Sequence, residues 1–137
     1  MNRLQYILTA KTQYDIQSPF LFEFYSEVLN PKIGHDERAR LCIRRGDRYA
    51  EMRYKIVDWY GASEADAAGW DVDELFATEQ KGMIGLVRKP HRDRESEARW
   101  NGLVGRNDVT LAVDLFDMGV VFSYDKLSKQ SVLFRCF

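Results

Sequence analysis

Apolar residues recur at Phe20, Leu21, Phe24, Tyr25, Val28 and Leu29, a spacing that lays one broad hydrophobic face along a helix. Ser18 and Pro19 stand in front of it as an N-cap serine and a first-turn proline, and Asn30-Pro31 stops it. Upstream, Leu4, Ile7, Leu8 and Lys11 mark a shorter helical stripe that ends near Gln13. So apolar a helix must cover the rest of its own domain or pack on a second subunit. From Asp36 to Tyr54 the chain is charged and helix-prone, with Ala39, Leu41, Cys42, Ile43, Tyr49 and Met52 as an irregular apolar face. One helix is expected there, weakened in the middle by Gly46 at a cost of about 1 kcal/mol relative to alanine.

After Lys55 the period changes. Ile56 to Tyr60 reads as a short strand ending in Gly61, Ser63 to Asp66 as a capping box that starts a helix or turn, and Val72 to Ala77 as a further helical turn. Gly82 to Val87 is a continuous apolar run of strand length, the signature of a buried parallel strand, and Pro90 ends it. Asp93 to Leu103 is expected to be a helix, carrying Ala98 and Trp100. Val109 to Phe116 is a long strand, Val120 to Tyr124 continues it bent or turned back, and Ser131 to Phe137 closes the chain beyond a polar turn at Asp125 to Lys129. The last two strands are expected to pair antiparallel. Alternating helices and strands predict an α/β fold of about four or five strands, parallel with an antiparallel C-terminal edge.

Composition narrows the class. The 137 residues carry 20 Lys+Arg against 21 Asp+Glu, a formal charge of −1, with 45% hydrophobic and 30% charged residues. That suits one soluble domain over residues 1–137 and speaks against a dedicated nucleic-acid or membrane-surface protein. No apolar run has transmembrane length, and the N-terminal residues lack a signal core, so a cytoplasmic protein is expected. Cys42 and Cys136 have no metal-ligand spacing and read as reduced thiols.

Two stretches resemble a known family. Tyr14 to Phe24, with Ser18-Pro19-Phe20 at its centre, resembles the N-terminal helix start of a Bacteroidetes-type family of class I S-adenosylmethionine-dependent methyltransferases, with Gln17 where the family usually has histidine. Trp100 to Phe137 resembles the family's end, where Val109, Thr110, Asp114, Leu115, Phe116, Gly119 and Phe122 fit its strand pattern. The resemblance implies a partial Rossmann-like sheet: helices over 1–30, a charged helical segment over 31–54 and a half-Rossmann core over 55–137. It also implies that the cofactor-binding half is missing, because no strand followed by a glycine-rich turn occurs before residue 55. A sheet so shortened leaves an edge to be covered, which makes a homodimer the simplest expectation. The leading expectation is therefore a methyltransferase-like protein without a complete cofactor site, acting through self-association or partner binding. The alternatives are an active enzyme on a small-molecule hydroxyl with a subunit-shared S-adenosylmethionine site, and a small nucleic-acid-binding domain.

The candidate chemistry is sparse. Asp58 and Gly61, at the end of the expected strand, correspond in the resemblance to residues near the cofactor. His91, with Asp93 and Glu95 nearby, is the candidate catalytic residue as a general base, and no metal set accompanies it. Arg88, Lys89, Arg92 and Arg94 form a basic loop able to hold a phosphate or carboxylate. Arg38, Arg40, Arg44, Arg45, Arg48, Arg53 and Lys55 carry the nucleic-acid alternative, against the plainer reading of a charged outer helix face. Asp114 reads as a structural carboxylate.

Overall fold

The structure, a computed structural model, describes residues 19–44, 46–67, 69–78, 82–124 and 130–133. Helix α1 (Pro19–Glu23) runs on into a π-helical turn over Phe24–Leu29. Two further helices follow, α2 (His35–Arg40) and α3 (Arg48–Tyr60), then strands β1 (Ser63–Glu64), β2 (Glu74–Ala77) and β3 (Met83–Arg88). Helix α4 (Arg94–Val104) leads to β4 (Leu111–Asp114), β5 (Met118–Ser123) and β6 (Gln130–Leu133). The strands form one sheet in the order β1-β2-β3-β5-β4-β6. Every pairing from β1 to β4 is antiparallel, and only β6 runs parallel to its neighbour β4.

The parallel Rossmann-like sheet expected from the sequence is thus overturned. It rested on the alternating order of helices and strands, with the unbroken apolar run at 82–87 read as a buried parallel strand. That run forms β3 and is buried as expected, but between two antiparallel neighbours, β2 and β5. Helices cover both faces of this antiparallel sheet, so its strands lose the alternation that marks a half-solvated sheet and read like parallel ones. On one face, Ile84, Leu86, Leu111, Val113, Val120 and Phe122 meet Phe24, Val28 and Leu29 of the N-terminal helix and Tyr49, Met52 and Ile56 of α3. On the other face, Leu75, Val87, Ala112 and Val121 meet Trp100 and Leu103 of α4. Phe24, Val28 and Leu29 of the apolar face read from residues 20–29 are therefore buried within the chain: the Phe24 ring sits edge-on to Phe122 at 5.4 Å.

Other elements move as well. The segment expected as a strand, Ile56 to Tyr60, is the last part of α3. Tyr49, Met52 and Ile56 are spaced by three and four residues and all are buried, so the helical stripe extends through it. The single helix expected over 36–54 is two, interrupted where Cys42 and Gly46 take left-handed backbone. Ser63-Glu64 is strand rather than a helix start, and Glu74 to Ala77 is strand rather than a helical turn. The chain turns back after β4, and β6 pairs with β4 rather than with β5. The helix expected over 93–103 is found as α4, with Asp93 accepting from the Ser96 amide at 2.8 Å. The stripe from Leu4, the Ser18 cap, the polar turn at Asp125 to Lys129, Phe134 to Phe137 and Cys136 lie outside the described residues. Among the described residues no helix is long and apolar enough to cross a membrane.

Gly61 has a structural task. It caps α3 at φ 58° and ψ 37°, the left-handed conformation that closes helices. A Cβ there is strained, so Gly61→Ala should cost about 1 kcal/mol in urea denaturation. A neutral result would show that the helix end relaxes without its glycine.

Candidate functional site

The chemistry-bearing residues gather at one end of the sheet, where β3 ends, β4 turns into β5 and α3 begins. His91 follows β3 by three residues. Its side chain is 9% exposed and lies between two carboxylates. Nε2–H donates to Asp114 at the end of β4, and Nδ1–H donates to Glu97 on α4 at 2.9 Å. The ring also stacks on Phe116, with centroids 5.7 Å apart and planes at 20°. Burial pulls the His91 pKa down, but the two carboxylates outweigh it and hold it above the ordinary histidine value. Only an imidazolium can donate from both nitrogens, so the doubly paired geometry calls for the charged form.

Asp114 does two jobs, because its other oxygen accepts from the Phe116 amide at 3.0 Å. Both neighbouring turns carry non-glycine residues in left-handed backbone: Lys89 at φ 47° and Phe116 at φ 69°. They are tied together where the Lys89 amide donates to the Asp117 carbonyl at 3.0 Å. Left-handed residues of this kind persist only where surrounding contacts over-determine them. Phe116 is held by the Asp114 carboxylate and the His91 ring, and Lys89 by its amide's bond to Asp117 and by the Arg92 amide donating to its carbonyl at 3.1 Å. The carboxylates approach opposite nitrogens of the ring and do not converge, and among the described residues no His/Cys/Asp/Glu cluster could hold a metal ion.

Beside this framework lies a polar cleft of about 430 Å³, bounded by Gly46 to Tyr49 at the start of α3, by Arg88 and Lys89, and by Asp117. Asp47 caps α3 by accepting from the Ala50 amide at 3.1 Å, and Arg48 reaches Asp117 at 3.8 Å.

Asp58 and Gly61 are elsewhere. They occupy the last turn and C-cap of α3, beside the start of β3, while His91 lies beyond its end. Six residues of strand separate the two places by about 20 Å. Asp58 is exposed and lines a shallow groove with Trp59, Tyr54, Val28 and Ile33. These residues do not fit S-adenosylmethionine as the resemblance implies, since Asp58 and Gly61 end a helix and form no strand-end turn that a cofactor could approach.

The arginines of residues 38–53 are largely committed to carboxylates. Arg38 pairs with Glu51, Arg40 with Glu37, and Arg53 with Glu74 at 2.8 Å. Arg45 lies outside the described residues.

Sequence reasoning named His91 and Asp114 separately and missed Glu97. It named Asp93 and Glu95 as the neighbours of His91, but Asp93 caps α4, and the helix presents Glu97, one turn later, to the ring. In comparisons with known proteins, no family model, curated protein or solved structure matches the chain. What the fold defines is an α/β domain with a mixed, mostly antiparallel sheet and a histidine-buttressed polar end.

Proposed function

We propose that this chain is a non-catalytic domain that acts by self-association, two copies meeting at the groove between the N-terminal helix and α3. The observation that carries this reading is Trp59. It is 47% exposed on a helix whose other large apolar residues are covered, and it lines a groove with Val28, Pro31 and Ile33. Exposed aromatic surface set in a groove with a polar rim marks a contact surface. Glu27, Asp58, Lys32 and Lys55 give the rim both signs of charge, which lets a two-fold copy set acid opposite base. A cytoplasmic location fits the exposed, free Cys42 thiol. Both nitrogens of His91 are occupied by carboxylates, which supports a reading without catalysis.

Sedimentation velocity tests the contact. The unaltered chain should sediment as two copies at micromolar concentration. Trp59→Glu should sediment as one, with an unchanged circular dichroism spectrum. A wild-type chain that stays a monomer across the concentration range sinks the proposal. Calorimetric titration with S-adenosylmethionine addresses the rival reading: micromolar binding would restore an enzyme.

A further inference from the structure

We infer that the cleft between α3 and the end of β3 is a binding site for a phosphate monoester of a small organic molecule, with Arg88 and Lys89 as the phosphate ligands. The phosphate ligands lie at the other end of α3 from Trp59, although Lys55 lines both the Trp59 groove and the hollow beside the cleft.

The argument starts from the cations. Arg88 and Lys89 are adjacent, exposed and without an ion-pair partner among the described residues. The carboxylates within reach are already committed. Glu74 accepts from the Arg53 guanidinium at 2.8 Å and from the Tyr49 hydroxyl at 2.7 Å. Asp73 accepts from the Arg88 backbone amide at 2.6 Å and from Arg99 at 3.3 Å. Asp117 faces Arg48, and Asp47 is spent on its helix cap. The cleft lining therefore carries Arg48, Arg88 and Lys89 against Asp47 and Asp117, and neither Arg88 nor Lys89 is in an ion pair among the described residues.

They are also held in place. The Arg88 guanidinium lies 4.0 Å above the Tyr49 ring, and that ring is fixed by its hydroxyl bond to Glu74. Stacking uses the face of the guanidinium and leaves its edge N–H groups for a bidentate oxyanion. Lys89 stands in left-handed backbone, tied to Asp117 and buttressed through Phe116 and His91. Its ammonium supplies a point charge beside the fork. A phosphate dianion matches this pair better than a single carboxylate does, because it offers three equivalent oxygens and two charges. The volume, about 430 Å³, exceeds what a bare phosphate fills and lies within the range of small-molecule sites. A second hollow adjoins it across the Arg48–Asp117 pair, with Leu29, Met52 and Leu115 as its apolar lining and Glu51 and Lys55 beside them, and offers a place for the organic part.

The test is amide chemical-shift titration of the full-length chain with inorganic phosphate and with phenyl phosphate, at constant ionic strength set by chloride. Both probes should give saturable shifts at Gly46, Arg48, Arg88 and Lys89. Arg88→Glu and Lys89→Glu, both at exposed positions, should each weaken binding about tenfold or more. Arg94→Glu, on the same stretch but outside the cleft, should leave it unchanged. Shifts that never saturate, or that Arg94→Glu weakens as much as Arg88→Glu does, overturn the assignment. Phenyl phosphate binding more weakly than inorganic phosphate overturns the place given to the organic part. A thermal melt of each variant separates lost binding from lost fold.

Discussion

Gly119→Ala should be among the most destabilising single substitutions in this chain, at about 3 kcal/mol, or about 10 °C in melting temperature. A Cβ at Gly119 would lie 2.4 to 2.8 Å from three atoms of the Trp100 ring. Neither side can give way easily. Gly119 sits in an interior strand, opposite Val87 on β3 and Asp114 on β4, so its backbone is pinned on both edges. Trp100 is buried among Leu75, Leu103, Val87 and Val121 between α4 and the sheet. Well-packed interiors answer an added methyl with off-rotamer side chains or a backbone shift. Urea denaturation gives the number. Trp100→Phe should recover part of the loss in the double variant, because the two residues share one contact. A Gly119→Ala chain within about 0.5 kcal/mol of wild type would show that α4 is free to lift from the sheet.

The second large effect belongs to His91. His91→Ala should cost about 3 kcal/mol at neutral pH, because it strands the buried carboxylate of Asp114 and removes the ring that Phe116 stacks on. The contribution also depends on pH with a definite sign. The folded pKa of His91 is raised above its unfolded value of about 6.5. A raised pKa means that the folded state holds the proton more tightly. The stabilisation is therefore complete below about pH 6.5 and is lost as pH rises through the folded pKa. Urea midpoints measured from about pH 6 to about pH 9 should fall more for wild type than for His91→Gln, whose side chain does not titrate there. Equal slopes would mean that His91 is neutral in its slot. Such a neutral ring would point a lone pair at one of the two carboxylates.

These two predictions also show how far the sequence could be read. The sequence marked Trp100, Asp114, Phe116 and Gly119 as one pattern near the C-terminus, but as motif positions rather than as contacts. That Gly119 must lack a side chain depends on α4 crossing the sheet at that strand, and no local spacing encodes the crossing. The same holds for His91. Asp114 lies 23 residues away and Glu97 lies 6, so the doubly paired ring exists only once β4, α4 and the loop after β3 are brought together. The cleft follows the same rule: Arg88 and Lys89 were legible as a basic loop, whereas their neighbours Arg48 and Tyr49 come from the far end of a helix that the sequence reading cut in two.

What the sequence determined by itself was local and periodic. It fixed the apolar face at Phe24, Val28 and Leu29, the proline start at Pro19, helix α4 with its acidic start, and the cores of β3, β4 and β5. Helical and strand periods are written in neighbouring residues, so they need no partner to be read. Strand direction and order were decided only by the tertiary structure. A strand buried on both faces shows one unbroken apolar run whichever way its neighbours run, so β3 could not announce that β2 and β5 are antiparallel to it. Residues 56–60 were likewise ambiguous over five positions. They became helix because Ile56 continues the buried stripe of Tyr49 and Met52 against the sheet, a gain that exists only when the sheet is there.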